Sequence, residues 1–189
     1  PYKPERAIKT YELCNRYGVM NHPGMTLLDP HPMDPQLLTL FHTPAMIQAV
    51  EKAGRGEFEI EMMEFGLGTK DNPILPGIFE WSLRAAGGTH QALCRLLDGE
   101  ADAAFNPFGG FHHAMPSRAA GFCYINDSAL ACLRLADAGR RVAYVDIDAH
   151  HGDGVQHAAY ARRDILTLDL HERGRTLFPG TGFEDEIGE

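Results

Sequence analysis

Residues 141–170 read RVAYVDIDAHHGDGVQHAAYARRDILTLDL, and this stretch decides the fold class. Residues 141–147 are an apolar run that predicts a buried strand. Residues 155–162 predict a helix, and 165–170 predict a second buried strand. Strand, helix, strand at this spacing is the unit of an α/β domain built on a parallel sheet. Near-continuous apolar strands are expected where helices cover both sheet faces.

Working upstream, Asn126 or Asp127 caps a predicted helix through Asp137, which Gly139 ends. A glycine-rich loop precedes it, Gly109-Gly110-Phe111-His112-His113, and residues 101–105 before that predict a short strand. Residues 78–97 predict a helix interrupted at Gly87-Gly88 and stopped at Gly99. The first 75 residues are irregular and rich in Pro, with short helices expected at 6–17, 35–41 and 44–53.

Three predicted strands therefore end in polar, potentially ligating residues: His112-His113, the run Asp146 to Gly154, and Asp169-Leu170-His171. Ligands of parallel α/β sheets bind beyond the carboxyl ends of the strands, so these groups are expected in one crevice. Asp146, Asp148 and His150 are spaced two apart and share one side of extended backbone. A carboxylate and an imidazole at that spacing can chelate Zn²⁺ or Fe²⁺. Alone, such a pair describes a solvated turn; with His151 and Asp153 close behind and turn glycines between, the metal reading is favoured. Two ligands are too few for a catalytic ion, so a third must come from elsewhere. For His112-His113 the residues leave two readings. They are structural histidines of a loop, or they form two His–Asp dyads that move protons during amide hydrolysis.

The 189 residues suit one domain, and 44% hydrophobic with 23% charged residues is ordinary for a globular chain. A net charge of −9 argues against direct nucleic-acid binding. No run approaches the length of a membrane span; the longest candidate, 129–138, is broken by Arg134 and Asp137. No signal-peptide pattern is visible at the start, which is Pro1. Cys14, Cys94, Cys123 and Cys132 form no CxxC pair, and a reducing cytoplasm is the expected compartment. Oligomeric state is not legible.

The segments GGFHHA (109–114), GFCYINDSA (121–129), VDIDAHHGDGVQ (145–156) and FPGTG (178–182) closely resemble the histone deacetylase family. GLGTKDNP (66–73) and GIFEWSLRAAGG (77–88) match more weakly, and HERGRTLFPGTG (171–182) leans toward bacterial members such as the acetoin-utilisation proteins. The resemblance implies a three-layer α/β/α, mainly parallel arginase-deacetylase fold with one divalent metal, usually zinc. It implies removal of acetyl groups from an acetylated protein or a small acylated amine, acetylpolyamines among them. By resemblance, Asp148 and His150 ligate the metal. His113 backed by Asp153 is the general base, and His112 backed by Asp146 its electrostatic partner. Phe122 and Phe178 wall a substrate tunnel, Gly121 offers a carbonyl to the substrate amide, and Asp71 grips the substrate at the rim. Asp146, Asp148, His150, Asp169 and Leu170 match a potassium site, although Asp169 stands where many members have Ser. The family's second Asp ligand and transition-state Tyr fall beyond Glu189, and its first strand falls before Pro4-Glu5-Arg6. Residues 1–189 are thus expected to be one catalytic domain lacking its first strand and its C-terminal part, and inactive by themselves.

Two other readings compete. Asp148-Ala149-His150 also resembles the ureohydrolases, but their dimetal site needs an Asp where Gly152 stands. A non-catalytic reader of acetylated partners would usually have lost a ligand or a proton-shuttling His, and both kinds of residue are present here.

Overall fold

The computed structural model describes residues 5–188, so Pro4 of the Pro4-Glu5-Arg6 match lies outside them. Five α-helices and two strands follow in order: α1 (Glu5–Arg16), α2 (Pro44–Gly54), α3 (Ile78–Leu97), α4 (Asp127–Asp137), β1 (Val142–Asp146), α5 (Asp153–Ala159) and β2 (Ile165–Asp169). Residues 35–40, expected as an ordinary short helix, form a 3₁₀ segment, capped by the Asp34 carboxylate.

The two strands pair in parallel, Val142 against Ile165 through Asp146 against Asp169, with α5 as the crossover. The two strand ends, Asp146 and Asp169, are therefore side by side at the carboxyl edge. On the covered face, Val142, Tyr144 and Ile165 pack on Ala129, Cys132 and Ala136 of α4 and on Val155 and Ala159 of α5. A larger core lies among α2, α3 and α4, where Leu38, Met46, Val50, Leu67 and Leu130 are almost wholly buried. Burial of each such side chain contributes about 1.5–3 kcal/mol.

Three expectations need correcting. Residues 101–105 are not a strand; they pair with no other strand, and Phe105 is exposed. A strand requires a partner ladder for its backbone groups, and among the described residues none runs beside this segment. The strands are also not buried on both faces. Val145, Leu166, Leu168 and Leu170 are at least half exposed, because α4 and α5 cover one face only and the described residues supply no layer on the other. Finally, α3 is uninterrupted at Gly87-Gly88. Gly87 there permits a close crossing: a Cβ would lie 1.8 Å from the His31 carbonyl oxygen, beside the Met33 N–H bond to Leu83.

Candidate active site

Two imidazoles from the loop before α4 reach the carboxyl edge of the sheet. His112 Nδ1 lies 2.7 Å from Asp146 Oδ2, at the end of β1. His113 Nδ1 lies 2.8 Å from Asp153 Oδ1, at the start of α5. All four residues are buried. A carboxylate accepting from Nδ1 fixes the tautomer and leaves Nε2 to exchange a proton. The His112 and His113 rings are 4.1 Å apart, and the His113 ring is 5.9 Å from that of His150. The expected convergence of the His pair with the Asp148–His150 segment is therefore observed, with two strand ends and one loop in place of three strand ends.

The two carboxylates sit in different settings. Burial pushes the Asp146 carboxyl up, but hydrogen bonds from His112, Tyr144 Oη and the Asp148 N–H outweigh it and hold the group well below the ordinary carboxylate range. Desolvation lowers the His112 pKa, yet the Asp146 hydrogen bond and the charges of Asp146, Asp148 and Asp153 raise it overall. Tyr144 had no place in the sequence reading. Its alternation onto the helix-facing side of β1, two residues before Asp146, is the signal that marks it.

Asp148 and His150 lie in the turn after β1, both partly exposed. Asp148 Oδ1 is 2.8 Å from His150 Nδ1 and 2.8 Å from the His150 backbone N–H. One carboxylate oxygen and one imidazole nitrogen presented side by side fit half the donor set of a Zn²⁺ or Fe²⁺ centre. Among the described residues no third His, Cys, Asp or Glu completes a group of three with them. Asp169 and Leu170 sit beside this turn: Leu170 N–H donates to the Asp146 carbonyl, and Gly152 N–H donates to Asp169 Oδ1. A Cβ on Gly152 would lie 2.7 Å from Asp146 Oδ2, so position 152 has no room for the acidic ligand of a ureohydrolase.

The residues expected to wall a tunnel are Phe122 and Phe178, with Gly121 beside them. The Phe178 ring is 4.9 Å from His113 and 6.4 Å from His150. Gly121 and Phe122 are the central residues of a tight turn closed by Ala120 and Cys123, both with positive φ. Phe122 is the one non-Gly described residue there, a strain of about 1–3 kcal/mol of the kind that collects at functional sites. A Cβ on Gly121 would meet the His113 ring at 2.5 Å and Phe178 at 2.9 Å. Asp71 is exposed. Its loop is nonetheless pinned beside the Phe122 turn, since Asn72 Nδ2 donates to Cys123 O and Tyr124 Oη donates to Pro73 O.

The His loop is clamped by the dipeptide that starts α4. The Asp127 carboxylate accepts from the N–H groups of Gly110 and Phe111 and from Thr89 Oγ1, at 3.1, 2.8 and 2.5 Å. Asn126 Oδ1 caps α4 through the Ala129 N–H, while its Nδ2 donates to the carbonyls of His112 and Ala114. Sequence reading had assigned this pair only a capping role. His151 and His171 stand apart, their rings 4.8 Å from each other and His151 Nδ1 on Thr181 Oγ1.

The histone deacetylase domain profile matches residues 1–189. The acetoin utilization protein AcuC of Bacillus subtilis is 41% identical over 100% of this chain and 49% of its own length. Histone deacetylase 9 of Arabidopsis thaliana is 41% identical over 100% of this chain and 44% of its own. The crystal structure of a histone deacetylase homologue from Aquifex aeolicus superposes with a TM-score of 0.80 at 38% identity, covering 94% of this chain and 49% of that one. The chain thus spans about half the length of the curated relatives it matches. The two His–Asp dyads, Asp148, His150 and Phe178 all lie within the residues that the profile matches, and the chain belongs to the histone deacetylase family.

Proposed function

We propose that the full-length protein is a metal-dependent amide hydrolase that removes the acetyl group from an acetylated lysine side chain or a related acylated amine, acetylpolyamines included. The observation that carries this reading is the convergence of two buried His–Asp dyads with the exposed Asp148–His150 pair at one sheet edge. Asp148 and His150 would hold a zinc or iron(II) ion together with a ligand from outside the described residues. When bound, the ion supplies Lewis acidity toward the amide carbonyl and toward water.

His113, its tautomer set by Asp153, takes a proton from the attacking water at Nε2 and returns it to the leaving amine. His112 keeps its proton more readily, because Asp146 stays ionised against it, and stabilises negative charge that develops on the substrate oxygen. Phe178 presents apolar surface beside His113, and with Phe122 it is assigned to the methylene stem of an acylated amine, whose amide N–H is assigned to Gly121 O. Asp71 at the rim is assigned to the substrate backbone. A potassium ion is assigned to Asp146, Asp148, His150, Asp169 and Leu170, which share the paired strand ends. The four unpaired cysteines support a reducing, cytoplasmic setting, and the net charge of −9 suits a cationic substrate better than nucleic acid.

The test is turnover by the full-length protein, loaded with zinc or iron(II), on acetyl-lysine peptides and acetylated polyamines. Metal-dependent release of acetate is expected from at least one class. Tight binding of those compounds without release would replace the hydrolase reading with a non-catalytic reader.

A further inference from the structure

We infer that His42, which lies outside the dyads, is a positioning residue for the His112–His113 loop and acts through Asn126. The inference rests on the deacetylase reading above. His42 is 2% exposed and precedes α2, its backbone N–H tied to Leu38 O. Its Nδ1 is 3.1 Å from the Met115 carbonyl, and its Nε2 is 3.0 Å from the Asn126 backbone N–H. A carbonyl only accepts and a backbone N–H only donates, so the two partners dictate one neutral tautomer with the proton on Nδ1.

The ring is thereby a strut of fixed length between the segment that leaves the His loop and the residue that caps α4. Beyond the strut, Asn126 Nδ2 holds the carbonyls on either side of His113, at 3.1 Å for His112 and 3.0 Å for Ala114. Gly154 N–H donates to the same His112 carbonyl, and the neighbouring Asp153 holds the His113 ring. The carbonyls of residues 112, 114 and 115 are thus all bound by one connected set of donors that His42 closes. With the ring's acceptor removed, the Asn126 peptide is free to tilt, and the tilt passes through Nδ2 into the backbone of His113. The bond at risk is the 2.8 Å contact between His113 Nδ1 and Asp153.

A core histidine that only packs and a positioning histidine differ in what rescues them. His42→Leu fills the volume and loses both polar ends. His42→Gln restores a donor and an acceptor at similar reach. In the zinc-loaded full-length protein, H42L is expected to lower kcat per bound zinc about 10- to 100-fold on an acetyl-lysine peptide, with KM within about twofold. The His113 Nδ1 proton, buried against Asp153 and followed by NMR, should shift and broaden. H42Q should recover most of both. Wild-type kcat and an unmoved His113 resonance in H42L, whatever its melting temperature, would overturn the inference, as would equal losses in H42Q and H42L. Should H42L fail to fold, Asn126→Ser keeps a helix cap but removes both amide donors, and it must then show the same loss; wild-type behaviour in N126S also overturns it. If the wild-type protein turns over no substrate, the deacetylase reading fails, and the His113 resonance still decides the positioning claim.

Discussion

Replacing Gly154 with Ala tests how tightly the two halves of the site are fitted. A Cβ at 154 would stand 2.5 Å from Ala114 O, 2.5 Å from His112 O and 2.5 Å from Asn126 Nδ2, where ordinary contact begins at 3.4 Å. The gap to be opened is therefore about 0.9 Å, in a well-packed interior. Two of the three atoms are backbone oxygens that the Asn126 amide already holds, so no flexible side-chain end can yield. Either the first turn of α5 moves out, carrying Asp153 from His113, or the His loop moves from its own clamp. Gly→Ala in a helix normally gains about 1 kcal/mol, but overpacking costs typically 1–3 kcal/mol. A net loss of up to about 2 kcal/mol is expected. A displacement near 1 Å in a catalytic group costs about 100-fold in rate, so turnover should fall far more than stability. The measurement is urea unfolding of the full-length protein beside kcat per bound metal. A G154A protein as stable and as active as wild type would refute the reasoning, because it would mean the loop and α5 separate freely.

Other perturbations bear on single contacts. Burial lowers the His42 pKa from 6.5 to about 4; the unfolded ring therefore binds its proton at higher pH than the folded ring. Its stabilising contribution is complete above pH 6.5 and is lost as pH falls toward 4, on the order of 3 kcal/mol in all; urea unfolding at pH 7 and 4.5 should show this, and H42Q should remove it. Asp148→Ala in the full-length protein should lose both bound metal and turnover, whereas His113→Ala should keep its metal by elemental analysis and lose about 10²–10⁴-fold in turnover. Metal loss in H113A would reverse the assignment of base and ligand. Tyr144→Phe removes one of the donors holding Asp146 ionised and should lower stability by about 1 kcal/mol, with metal content unchanged by elemental analysis.

The strand–helix–strand unit and the residues at its edge were legible because they are local. Asp146, Asp148, His150 and Asp153 lie within one turn of chain, and strand period and turn glycines announce where that turn falls. The misread parts depend on what runs alongside. Residues 101–105 have strand-like composition but no partner ladder, and Leu166 and Leu168 look like buried positions yet face no helix. Gly87 reads as a break in α3 and is instead a notch for the His31 segment. Apolar pattern reports what a residue could bury, and burial itself needs a neighbour that the pattern does not specify.

The polar clamp was illegible for a related reason, and it bears on the different parts proposed for the two histidines. His42 reaches Asn126 across 84 positions and Met115 across 73, and no periodicity links them. Once that clamp fixes the loop, each ring meets the carboxylate that its strand or helix delivers. Asp146, at the end of β1, receives His112, Tyr144 and the Asp148 N–H together, so it remains ionised and raises the pKa of His112. Asp153 enters from α5 and orients His113, whose ring alone of the pair lies against both Phe178 and His150. On the proposed mechanism the proton acceptor is His113, the ring that faces His150 and Phe178, and its electrostatic partner is His112, the ring held by the carboxylate with the larger set of donors. Exchanging those roles would require moving Tyr144 and Asp148 off Asp146, yet both are bound to it two residues away within one strand and the turn that follows.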